Sequence, residues 1–157
     1  MLAAGGVLHV GCATGADQQA LGLAVRSASF QQVRAFAAFG PLGQGSFSGS
    51  AVAAVQAAAH AGVSVQWWAG GGQAVPLVAR LMSRSVAALA GCSAAVFFGP
   101  GVGSLKVARH ALAAGIPVWV ACAGLAAAPV LAVAPVVQSW AGVSFWVYRP
   151  AVQPSLF

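Results

Sequence analysis

Two glycine-rich turns carry most of the residues in this chain that could do chemistry. GCATGAD, residues 11–17, follows a short β-type run and opens a helix-period stretch; GPGVGS, residues 99–104, follows the apolar run 94–98 and does the same. Glycine there lets a backbone approach a ligand closely, and a helix start offers unpaired N–H groups that suit phosphate. Cations stand nearby. Lys106 and Arg109 follow the second turn, and Arg80 and Arg84 lie four residues apart in the helical stretch before it. Like charges at such spacings cost about 0.2–0.5 kcal/mol per pair when no acid relieves them, and an anion held between them reverses the sign. Arg84, Lys106 and Ser104 are therefore candidate phosphate contacts, and Arg109 is expected on a solvated face. Asp17 is either a hydrogen-bond acceptor for a sugar or a helix-start charge that stabilises by about 0.3–1 kcal/mol.

The acid count narrows the chemistry. Asp17 is the sole Asp or Glu against seven Lys and Arg, giving a net charge of +6. Mechanisms that need two carboxylates are closed to a single chain, as is a carboxylate-rich magnesium or calcium site. Cys12, Cys92 and Cys122 are odd in number and show no CxxC spacing, which reads as the reduced thiols of a cytoplasmic protein with no zinc site. Cys12 sits beside the first turn, but no His or Asn partner is identifiable to activate it. His9, His60 and His110 share no ligand spacing and read as structural. No catalytic residue, metal or resident cofactor is expected.

A chain of 157 residues, 60% of them apolar, has ample material for the core of one domain. Charged residues make up 5%, against roughly 25% in ordinary soluble chains. So little charge implies that apolar surface is hidden in a homo-oligomer. Mean hydropathy is +0.87. Yet the best membrane-spanning candidate, residues 111–134, is broken by Gly115, Pro117, Gly124 and Pro129, so no membrane association is expected. The first residues, MLAAGGVLHVGC, lack a basic n-region, and no signal peptide is expected. Trp67, Trp68, Trp119, Trp140 and Trp146 read as core and oligomer packing ahead of base stacking.

Strands are predicted over 7–10, 33–39, 63–68, 94–98, 117–121 and 143–148. Helices are predicted over 16–28, 51–61, from Pro76 to about 89, and after the second turn. Their expected starts are a Thr14–Asp17 capping pair, Ser50, Pro76 in a first turn, and Ser104. Residues 40–50 read as a loop, 124–135 as a short helix, and 150–157 as an extended tail. Alternation of strands and helices predicts an α/β fold, a Rossmann-like three-layer sandwich with a mainly parallel sheet.

Two stretches resemble a known family. GCATGADQQAL, residues 11–21, is similar to the glycine-rich turn with "GAD" of SLOG-type Rossmann proteins, which include the DNA-processing protein A (DprA/Smf) group and the Lonely Guy phosphoribohydrolases. RLMSRSVAALAGCSAAVFFGPGVGSLKVARHALAAGIPVWV, residues 80–120, resembles the family's later half: an Arg-Ser helix, a strand, a PG-x-G-[ST] turn and a closing AGIPV. The resemblance implies a nucleotide or nucleotide-like ligand held by Gly11, Cys12, Thr14, Gly15 and Asp17 on one wall. Gly99, Pro100, Gly101, Gly103 and Ser104 would form the other, with Arg84 and Lys106 neutralising charge. It also implies two alternatives, single-stranded nucleic-acid binding of the DprA kind and a degenerate phosphoribohydrolase. In Lonely Guy enzymes the motif runs on as PGG-x-GT-x-x-E; here Gly103 and Ser104 are followed by Leu105, Lys106, Val107 and Ala108, and the glutamate has no counterpart. Binding without catalysis is the expectation.

Overall fold

The computed structural model describes residues 6–151, so residues 152–157 of the expected tail lie outside the described residues. The chain is mixed α/β and divides into two compact units, Met1–Ala90 and Gly91–Phe157.

In the first unit the order is β1 (Leu8–Val10), α1 (Ala16–Arg26), a short 3-10 turn, β2 (Val33–Phe36), α2 (Gly49–His60), β3 (Ser64–Gln66) and α3 (Leu77–Leu89). The sheet runs β1-β2-β3 and is parallel throughout, with Leu8, His9 and Val10 opposite Val33, Arg34 and Ala35. Alternation along the strands sends Val10, Val33 and Ala35 into a core with Leu21 and Ala24 of α1 and Val55 and Ala58 of α2. On the opposite face the His9 ring donates to the Ala88 carbonyl at 2.8 Å and tilts against Phe36, which seats α3 there. Small side chains let α1 and α2 come close. The end of α2 shows the expected stop: Gly62, at φ +103°, turns the chain so that Val63 N–H donates back to the Ala58 carbonyl.

In the second unit the order is β4 (Ala95–Phe97), α4 (Val102–Ala113), β5 (Val118–Ala121), β6 (Val136–Trp140) and β7 (Val143–Tyr148). Its sheet is mixed, not mainly parallel: in the order β4-β5-β7-β6, β4 and β5 are parallel while β7 is antiparallel to both of its neighbours. The cause is a strand that the Ala/Pro-rich stretch concealed. Residues 124–135 form no helix, because Pro129 and Pro135 interrupt the backbone ladder. The chain then enters β6 and returns through Ala141 and Gly142, both at positive φ, as a tight hairpin. Tyr148, fully buried, donates its hydroxyl to the Pro129 carbonyl at 2.6 Å and so anchors the irregular segment.

Helix starts differ from expectation in detail. Gly15, not Thr14, occupies the first cap; Ser48, not Ser50, caps α2 by accepting from Ala51 N–H; Pro76 stands one residue before α3; and Gly101 caps α4, leaving Ser104 inside its first turn. The shifts run from one to three residues, the scale on which several Ser and Gly compete for one helix end. Among the described residues, no helix is long and apolar enough to cross a membrane.

Candidate anion site at the carboxyl edge of the first sheet

All three strands of the first sheet point the same way, so the turns that follow them leave from one edge. In open parallel sheets this is where ligands bind. The turn after β1 carries the GCATGAD motif. Gly11 and Cys12 are buried, and Thr14 and Gly15 are exposed. The Cys12 thiol is taken up by the core and accepts from Ala38 N–H at 3.3 Å, tying this turn to the segment after β2. Asp17 bends back so that its Oδ2 accepts from Ala13 N–H at 3.1 Å, which stiffens the turn. The start of α1 is left without a side-chain cap.

Helix α3 supplies the unusual element. A helix ordinarily buries an apolar stripe, but the fully buried residues of α3 are Arg80 and Arg84, at 3% and 7% exposure. Their i, i+4 spacing puts both on one face, the side that meets β1 and β2.

Arg80 is held by its own chain. Its Nη2 donates to the Gly45 carbonyl at 2.6 Å and its Nη1 reaches the Gly72 carbonyl at 3.5 Å, while the guanidinium lies 5.2 Å from the centre of the Trp68 ring. One side chain thus clamps the loops after β2 and β3. Trp68 adopts φ +55°, unusual for an aromatic residue, and its N–H donates to Phe39. Gly45 must be small: at φ +74°, a Cβ would lie 3.0 Å from both Trp68 and Arg80 Nη2.

Arg84 is not held in this way. Its guanidinium lies directly over Gly11, where a Cβ would overlap Nη1, and its nearest counter-charge is Asp17 Oδ2 at 3.7 Å, beyond hydrogen-bond length. Arg80 Nε and Arg84 Nε are buried without a hydrogen-bond partner. Stranding a buried charge costs several kcal/mol, and the chain has no second acid to relieve it. The structure therefore brings Gly11, Asp17 and Arg84 together as a half-satisfied cationic seat beside an uncapped helix start.

The second unit carries the other candidates. Gly99, at φ +54°, and Pro100 lead from β4 to Gly101 at the start of α4, again with no side-chain cap. A Cβ at Gly101 or Gly103 would meet nothing within 4 Å, so the protein's own packing does not require glycine at either. Ser104 is half-buried and Lys106 exposed. Arg109 is exposed as expected, but it also donates to the Val130 carbonyl at 2.9 Å.

Sequence reasoning singled out Arg84 and the turn, which the structure brings together, but missed the Arg80 clamp, Trp68 and Gly45. The spacing of the two arginines without an acid was the available signal; the carbonyls that meet Arg80 are 8 and 35 residues away and carry none. No family model, curated protein or solved structure matches the chain.

Proposed function

We propose that this chain binds a nucleotide or nucleotide-derived phosphorylated ligand without turning it over, with a phosphate oxygen seated on Arg84 at the turn after β1. The observation that carries this is the Arg84 guanidinium: buried, pressed onto Gly11, with an unpartnered Nε and a counter-charge too distant to bond. An oxyanion there would complete the guanidinium fork and accept from the open N–H groups of α1. Asp17 presents its remaining lone pairs to a ligand hydroxyl, as a ribose supplies. The open glycine backbone at the start of α4 supports an anion seat in the second unit as well, with Ser104 and Lys106 as its side chains.

The fold that goes with this function is a Rossmann-like sandwich of the SLOG kind, in a cytoplasmic setting that suits three cysteines held in no disulfide. Binding without turnover is in keeping with the acid count, which rules out paired-carboxylate mechanisms within one chain. The one carboxylate already accepts from Ala13 and faces Arg84, which leaves no second carboxylate to work beside it.

Thermal unfolding with inorganic phosphate, ribose 5-phosphate, AMP, ADP-ribose and an oligonucleotide tests the proposal. A ligand at 100 times its Kd should raise the midpoint by roughly 5–10 °C, the equivalent of about 2.7 kcal/mol in a domain of this size. Arg84→Gln should abolish the shift. No shift with any phosphorylated ligand, or an equal shift in Arg84→Gln, overturns it; a shift with the oligonucleotide alone turns the assignment to single-stranded nucleic acid.

A further inference from the structure

We infer that the outer edge of β6 pairs with the same strand of a second copy of this chain, in antiparallel register about a two-fold axis at Gln138. β6 is the last strand in the order β4-β5-β7-β6, and among the described residues no strand lies on its outer side. The hairpin decides which backbone groups point outward. Ala141 and Gly142, at φ +50° and +78°, form a two-residue turn whose closing pair, Trp140 and Val143, exchanges hydrogen bonds. Alternation then directs the N–H and C=O groups of Val136, Gln138 and Trp140 toward β7, and those of Val137 and Ser139 outward. Two contacts agree with this. The Ser139 and Ser144 hydroxyls lie 3.3 Å apart, as side chains do in the closer, non-hydrogen-bonded pairs, and the Ser144 carbonyl is turned away from β6 to accept from Cys122 N–H.

The outward edge matches itself. A second β6 centred on Gln138 sets Val137 opposite Ser139 on both sides of the axis, and each pair exchanges its main-chain hydrogen bonds. Val136 then meets Trp140 of the other copy twice on one face, a β-branched side chain against an aromatic ring. Val136, Val137 and Trp140 are 52%, 66% and 42% exposed in the single chain, so this pairing covers apolar surface.

Charge selects the occupant. Two copies at +6 each repel except across a surface without cations, and residues 111–148 contain no Lys, Arg, His, Asp or Glu. β6 lies within that stretch. It also lacks the lysine or internal proline that ordinarily keeps a strand edge from pairing. An acidic partner would be drawn to the cationic surfaces elsewhere, not to this edge.

Sedimentation velocity over a micromolar concentration series reads the outcome. Wild-type protein should show a species of about 31 kDa, twice the 15.5 kDa chain. Gln138→Lys, which places like charges directly opposite each other, should weaken dimerisation at least tenfold, as should Val137→Pro, which deletes an outward N–H and leaves the β7 ladder intact. Register is tested by cross-linking: under mild oxidation Gln138→Cys should form a covalent dimer, and Val136→Cys should not. A wild-type monomer throughout, a dimer unaffected by Gln138→Lys, or equal cross-linking of the two cysteine variants each overturns the inference. None of these variants alters a residue of the Arg84 seat, so a failure here and a failure of ligand binding are read separately.

Discussion

Arg84 and Gly11 are one unit at the residue scale. The guanidinium occupies the space that a Cβ at position 11 would need, so Gly11→Ala must push it off the turn. That variant should lose about 1–3 kcal/mol of stability, as overpacked sites do, and lose the phosphate-induced rise in midpoint as well. Arg84→Lys separates charge from shape. It keeps the cation but not the planar fork, so phosphate affinity should fall several-fold while electrostatic attraction persists; titration calorimetry distinguishes the two.

Tyr148 gives a pH prediction at the same scale. Burial holds its phenol above the ordinary value of 10.0, with the charge of Cys122 adding in the same direction. Its contribution to stability is full below the unfolded value and is lost as pH rises through the raised folded value, because ionisation removes the proton donated to Pro129. Tyr148→Phe should cost about 0.5–1.5 kcal/mol at neutral pH and flatten the alkaline fall in stability seen by chemical denaturation.

At the scale of elements, α3 organises the first unit by inserting cations where a helix usually inserts leucine. Arg80 joins the loops after β2 and β3 and leaves Arg84 to the turn after β1. Close backbone contact sets the helix in place: a Cβ at Gly70 would overlap the Arg80 carbonyl, which cannot swing aside as a side chain can. Gly70→Ala should therefore destabilise by about 1–3 kcal/mol. Gly103→Ala should do the opposite. Nothing crowds that site in the first turn of α4, so removing backbone freedom should stabilise by about 0.5–1 kcal/mol, measurable in the same unfolding experiment.

For the whole molecule, the imbalance of seven cations against one acid separates two kinds of binding. A mononucleotide on Arg84 involves one or two charges, so its affinity should fall about tenfold or less between 50 and 200 mM salt, whereas a single strand tracking five to seven cations would lose about 10²–10³. Fluorescence titration at both salt concentrations reads the difference directly.

The sequence by itself determined the alternation of strands and helices, the β7 span, the glycine turns and the one-acid limit on chemistry. These are legible because hydrophobic period, turn residues and composition are local or additive properties. It also marked Arg80 and Arg84 as a like-charged pair with no acid near them in the chain; the structure brings Asp17 to within 3.7 Å of Arg84. Only the tertiary structure decided that the pair is buried, that Arg80 is satisfied by carbonyls distant in the chain, and that Arg84 lies over Gly11. It alone revealed β6, whose proline-flanked run carries little periodic signal. Burial and long-range hydrogen bonding depend on which segments meet after folding, and no spacing along the chain encodes that meeting.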